Sequence, residues 1–88
     1  MVSTAMVTGA SSGIGREIAK CLASKGYDLI LVARREELLR ELAESLVVEH
    51  GCKADVVVAD LANPSQVSMI TEMVEDVDVL VNNAGYGK

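Results

Sequence analysis

Ala5-Met6-Val7-Thr8-Gly9-Ala10-Ser11-Ser12-Gly13-Ile14-Gly15 is the stretch that decides the fold. Its three leading apolar residues read as a buried strand, and Thr8-Gly9 turns the chain out of it. From Ile14 the period changes: Ile14, Ile18, Cys21 and Leu22 form a helical stripe, which places Cys21 in the core. Gly26 suits the left-handed position just past that helix. A strand passing through a glycine-rich turn into a helix N-terminus makes an anion site. Backbone N–H groups can approach a phosphate there, and the helix end adds about half a unit of positive charge. The spacing is G-x-x-x-G-x-G, not G-x-G-x-x-G, because Ile18 stands where the last glycine would fall. It is not a P-loop either: Ile14 takes the position of that motif's second glycine, and no Lys-Ser/Thr follows.

Working outward, Leu29-Ile30-Leu31-Val32 is an unbroken apolar run, the mark of a strand covered on both faces of a parallel sheet. Leu38, Leu39, Leu42, Ala43 and Leu46 mark a second helix, with Glu36/Arg40 and Arg40/Glu44 at spacing four on its outer side. His50-Gly51 closes it. Val56-Val57-Val58 predicts a third strand, ending at Asp60. Asn63-Pro64-Ser65-Gln66 reads as a helix start, with Asn63 as N-cap, Pro64 at the first position and Gln66 reaching back to the cap. Val67, Ile70 and Val74 give that helix its stripe, with Met69 and Met73 filling core gaps. Val77 to Val81 predicts a fourth strand, ending at Asn82-Asn83-Ala84-Gly85. The order βαβαβαβ, without linker or repeat, predicts a doubly wound α/β parallel sheet with right-handed crossovers. Strand order 3-2-1-4 follows, with the first two helices on one face and the third on the other.

The 88 residues are half hydrophobic, which excludes a disordered chain, yet they contain neither Phe nor Trp. At this length only about 60% of the unfolded surface is buried, so the core is thin and aliphatic. A net charge of −5 offers no basic face to nucleic acid or to an anionic membrane. A single histidine, His50, and two cysteines give neither a metal-ligand spacing nor a disulfide framework. Cys52 lies in a turn before the third strand, with nothing beside it to mark it as reactive. No secretory signal or membrane-spanning run is evident, and the expectation is a cytoplasmic protein.

Thr8-Gly9-x-x-x-Gly13-x-Gly15, Asp60-Leu61 after the third strand and Asn82-Asn83-Ala84-Gly85 after the fourth closely resemble the classical short-chain dehydrogenase/reductase family. The resemblance covers essentially the whole chain, as the N-terminal part of a Rossmann-like NAD(P)-binding domain. It implies that Gly9, Gly13, Gly15 and the Ser11, Ser12 and Ile14 backbone line the pyrophosphate and adenosine ribose. Asp60 would accept from the adenine amino group, with Leu61 beside the ring. Asn83, Ala84 and Gly85 would run along the far side of the cofactor, while Asn82 ties the fourth strand to its neighbours.

The end of the second strand selects the cofactor. An acidic residue there bonds the ribose hydroxyls of NAD and repels a 2′-phosphate. That position holds Ala33, followed by Arg34 and Arg35, whose guanidinium groups suit bidentate bonds to a phosphate. A basic pair is poorly placed at a helix N-terminus, where the dipole favours anions, so a purely solvated helix start is the weaker reading. The expected cofactor is NADP (NADPH).

Relatives of this family carry a catalytic Ser and a Tyr-x-x-x-Lys pair. Here Leu31 stands four positions after Tyr27, and Lys88 is wrongly spaced from Tyr86, so no catalytic residue is assigned. Ser11 and Ser12 have no base beside them. The expectation is an NADP(H)-binding portion, residues 1–88, of an oxidoreductase that transfers hydride between NADPH and a carbonyl or hydroxyl substrate. Alone, the chain is expected to be inactive, with an uncovered sheet edge and face available for self-association. The alternatives are a non-catalytic dinucleotide-binding or interaction subunit, and a truncated product unable to fold.

Overall fold

A computed structural model describes residues 2–11 and 13–83. Four strands and three helices alternate: β1 Thr4–Thr8, α1 Gly13–Ser24, β2 Asp28–Ala33, α2 Glu36–His50, β3 Ala54–Val58, α3 Pro64–Val74 and β4 Val79–Asn82. The strands form one parallel sheet in the order β3-β2-β1-β4, as the sequence predicts. β1 and β2 are central and the most deeply buried, in keeping with their unbroken apolar runs.

The two faces differ. On one, α1 and α2 pack over Ala5, Val7, Leu29, Leu31 and Ala33, with Leu39, Leu42 and Leu46 fully buried from α2. Each such leucine contributes about 1.5–3 kcal/mol through burial. On the other face α3 covers Met6 and Val32 through Ile70, with Met73 and Val74 alongside. That cover is partial. Leu80 is 46% exposed, and Val67 and Met69, both expected to pack inward, stand 38% and 41% exposed. A single helix reaches the sheet with one narrow stripe, and Ile70, Met73 and Val74 fill it.

Three local expectations are corrected. In α1 the buried positions are Gly15, Ala19 and Ala23, with Leu22 packed beside them; Ile14 is 70% exposed and Cys21 is exposed. Small residues at four-residue spacing bring the helix axis close to the sheet, and this close approach rotates the larger side chains outward. Val77 belongs to the turn after α3, where its N–H donates to Val74 O, so β4 starts two residues later than expected. Gln66 reaches back beyond the N-cap, as described below.

The termini of the helices obey local chemistry. α1 ends in a Schellman motif: Gly26, at φ +94°, donates to Ala23 O, and Tyr27 donates to Leu22 O. Gly51, at φ +68°, closes α2 through Val47 O. Glu36 and Arg40 pair at 2.6 Å on the exposed side of α2. At the amino ends of the strands two carboxylates fix the register. Asp78 Oδ2 accepts from Thr4 N at 2.8 Å, and Asp28 Oδ1 accepts from Lys53 N at 3.0 Å.

Candidate nucleotide site at the carboxyl ends of the strands

Ligands of open α/β sheets bind beyond the carboxyl ends of the strands, where the strand order reverses. Here that point lies between β1 and β4. Parallel pairing sets Thr8 opposite Asn82. The Thr8 hydroxyl is almost fully buried; it donates to Asn82 Oδ1 at 3.1 Å and accepts from Asn83 N at 3.0 Å. One hydroxyl thus joins the start of the glycine turn to the asparagine pair. Asn82 has the strand-tying role expected of it. Thr8 opens the quoted glycine motif, from which no role for its side chain can be read. Its signal was a hydrogen-bonding residue at a strand end otherwise built from apolar ones.

The turn closes tightly on itself. Gly9 sits at φ +65°, where a side chain is strained. Asn83 Nδ2 donates to Gly9 O at 3.5 Å. A Cβ at position 15 would lie 2.3 Å from Gly9 O and 2.7 Å from Asn83 Nδ2, so only glycine fits there. A Cβ at Gly13 would meet nothing within 4 Å. Helix α1 therefore opens at the mouth of the turn, and no acidic side chain in its first turn offsets the positive end of its dipole. Ser11 is half-buried in the turn. Ile14 is exposed, outside the core. Ser12, Ala84, Gly85, Tyr86 and Lys88 lie outside the described residues.

The neighbouring loops converge on the same end of the sheet. Ala10 N donates to Val32 O at 3.1 Å and Ala59 N donates to Ala33 O at 3.0 Å, which brings the turns after β1 and β3 beside the end of β2. Ala33 is buried, and Arg34 and Arg35, which follow it, are both exposed. Neither guanidinium has an ion pair or hydrogen bond among the described residues. Arg35 is the N-cap residue of α2 and makes no side-chain capping bond, which leaves its charge without a structural task. The residue that ends β2 is Ala33, not an acid.

Asp60 follows β3 at the third corner. Its Oδ1 accepts from Ala62 N at 2.9 Å, its carbonyl accepts from Asn63 N at 2.9 Å, and its N–H donates to Gln66 Oε1. Leu61 is partly buried against the α3 side of the core. Asn63 caps α3 through Ser65 N, with Pro64 at the first position, as expected. Because Asn63 N is already bonded to Asp60 O, Gln66 does not form the reciprocal capping bond. It extends to Asp60 instead.

Elsewhere the molecule offers little chemistry. Burial pushes the Cys52 thiol above its ordinary range, and its Sγ lies 3.8 Å from Leu46 O, so it is held as a thiol. Among the described residues no group of His, Cys, Asp or Glu is arranged to hold a metal. No helix among them is long and apolar enough to cross a membrane.

Comparison with known proteins agrees with this geometry. The family described as short chain dehydrogenase matches residues 3–88. An inactive hydroxysteroid dehydrogenase-like protein 1 of Homo sapiens is 39% identical over 84 residues, covering 92% of this chain and 26% of that protein. The structure of L-sorbose reductase from Gluconobacter frateurii, complexed with NADPH and L-sorbose, superposes with a TM-score of 0.88 at 41% identity. It covers 99% of this chain and 35% of that one. A short-chain dehydrogenase from Sphingobium yanoikuyae in complex with NADPH gives a TM-score of 0.91 at 38% identity, over 96% of this chain and 34% of that one. The chain spans about a quarter to a third of the length of the curated relatives it matches. Sequence and fold lead to the same place, and the chain belongs to the short-chain dehydrogenase family.

Proposed function

We propose that residues 1–88 are the N-terminal, NADP(H)-binding part of a cytoplasmic oxidoreductase that transfers hydride between NADPH and a carbonyl or hydroxyl substrate. The observation that carries this reading is the pair Arg34 and Arg35, exposed beside the glycine turn and without side-chain partners among the described residues, with Ala33 where an NAD-selecting acid would stand. The donor set fits a dinucleotide bearing a 2′-phosphate. Gly9, Ser11, Ser12, Gly13, Ile14 and Gly15 carry the pyrophosphate on turn and helix-end N–H groups. Arg34 and Arg35 hold the 2′-phosphate through charge-assisted bonds. Asp60 accepts from the adenine amino group beside Leu61, and Asn83, Ala84 and Gly85 line the far side. NADPH complexes of two neighbours at 41% and 38% identity support the choice of cofactor. Bound there, the nicotinamide supplies the hydride. The chain's own residues bind and orient the cofactor, and none is assigned a proton-transfer role.

A second reading has one specific observation in its favour: a relative at 39% identity is named as inactive. On that reading the site binds nucleotide without turnover. Both readings predict that NADPH raises the thermal unfolding midpoint by mass action, and by more than NADH at equal concentration. A midpoint indifferent to both nucleotides would remove the binding role.

A further inference from the structure

We infer that Gln66 is a positioning residue for recognition of the adenine base, acting through Asp60. The inference rests on the reading above, in which the Asp60 carboxylate meets the adenine amino group. Three ties fix Asp60. Its carbonyl accepts from Asn63 N, its Oδ1 accepts from Ala62 N, and its N–H donates to Gln66 Oε1. Only the last comes from outside the turn 60–63. The first two ties shape the turn internally, while Ala59 N donating to Ala33 O and Gln66 N and Val67 N donating to Asn63 O hold its two ends, and none of these reaches Asp60 itself. Gln66, half-buried in the first turns of α3, anchors it to a helix that is itself packed on the sheet through Ile70.

The anchoring has a chemical consequence. With Oδ1 engaged by Ala62, Oδ2 has no hydrogen-bond partner among the described residues and is the oxygen left for a ligand donor. The direction in which Oδ2 points is set by the Asp60 backbone, and Gln66 holds that backbone. An adenine presents an amino donor at its 6-position; a hypoxanthine presents a carbonyl there, which a carboxylate repels. Discrimination between the two bases therefore reads the placement of Asp60, which overall stability does not.

The test is calorimetric titration of the 88-residue chain with NADPH and with its deaminated analogue, nicotinamide hypoxanthine dinucleotide phosphate. A charge-assisted hydrogen bond predicts about a tenfold preference for NADPH in the unmodified chain. Gln66→Met should cut that preference to about twofold by weakening NADPH alone, as expected when a single charge-assisted bond is misplaced. Gln66→Glu keeps an acceptor oxygen at the same reach and should retain it. Equal weakening of both nucleotides by Gln66→Met would show a merely structural role and overturn the inference, while the proposed NADP(H)-binding function would stand. Hydrogen exchange of the Asp60 amide gives a ligand-free check, with faster exchange in Gln66→Met expected and unchanged exchange contradicting the contact. Failure of the unmodified chain to bind either nucleotide would overturn the proposed function and this inference with it.

Discussion

The β1–β4 junction and the end of β2 sit side by side at the same end of the sheet, yet they use their polar groups in opposite ways. At the junction the side chains of Thr8, Asn82 and Asn83 are engaged internally. Thr8 holds Asn82 and Asn83, Asn83 holds Gly9, and Gly15 leaves no room for a Cβ. At the end of β2, Arg34 and Arg35 extend into solvent and hold nothing among the described residues. The same contrast runs along the sheet. Asp28 and Asp78 fix register at the amino ends, the opposite end of the sheet from Arg34 and Arg35. In a chain of net charge −5, local placement of this kind is what makes a phosphate site possible. Framework and recognition are therefore separable: one region should answer to mutation with stability, the other with ligand preference.

The largest effect should come from breaking the framework at its tightest point. Gly15→Val would force Gly9 and Asn83 apart and should cost about 3 kcal/mol in urea unfolding, as overpacking of a closed site does. Thr8→Val keeps the shape but leaves Asn83 N without its acceptor, and should cost about 1–3 kcal/mol by the same assay. Arg34→Ala tests the other region. Stability should stay within about 0.5 kcal/mol of the original, while NADPH binding weakens about tenfold and NADH binding does not change. Introducing an acid at Ala33 is a poorer probe, because that position is buried and the change would disturb both regions at once. Gly13→Ala should be the quietest, within about 0.5 kcal/mol, since its Cβ enters open space. A large loss there would blur the line between the two regions.

The sequence made the architecture legible because its signals are periodic. Leu29 to Val32 and the leucine stripe of α2 are each readable alone, and their alternation leaves little choice of sheet order. Reading failed where the deciding residues carry little hydrophobic signal. Gly15, Ala19 and Ala23 bury α1 because they are small, so Ile14 and Cys21 were placed inward and lie outward. Met69 was expected inside and stands at the surface, because α3 alone covers its face. At the proposed site, the glycines are named from spacing and Arg34 from its place after β2, because backbone approach and phosphate pairing would call for those residue types. The bonds that Thr8 and Gln66 make could not be read this way. Their partners lie across the sheet or across a turn, and only the register of β1 with β4 and the closed turn 60–63 bring the groups together.

The central claim is that the unengaged guanidinium groups at the end of β2 read a 2′-phosphate. Calorimetric titration of the 88-residue chain with NADPH and, separately, with NADH tests it most directly. A 2′-phosphate held by Arg34 and Arg35 predicts saturable binding with NADPH at least about tenfold tighter, the yield of one charge-assisted phosphate contact. Equal affinity for the two nucleotides, or a preference for NADH, would contradict it.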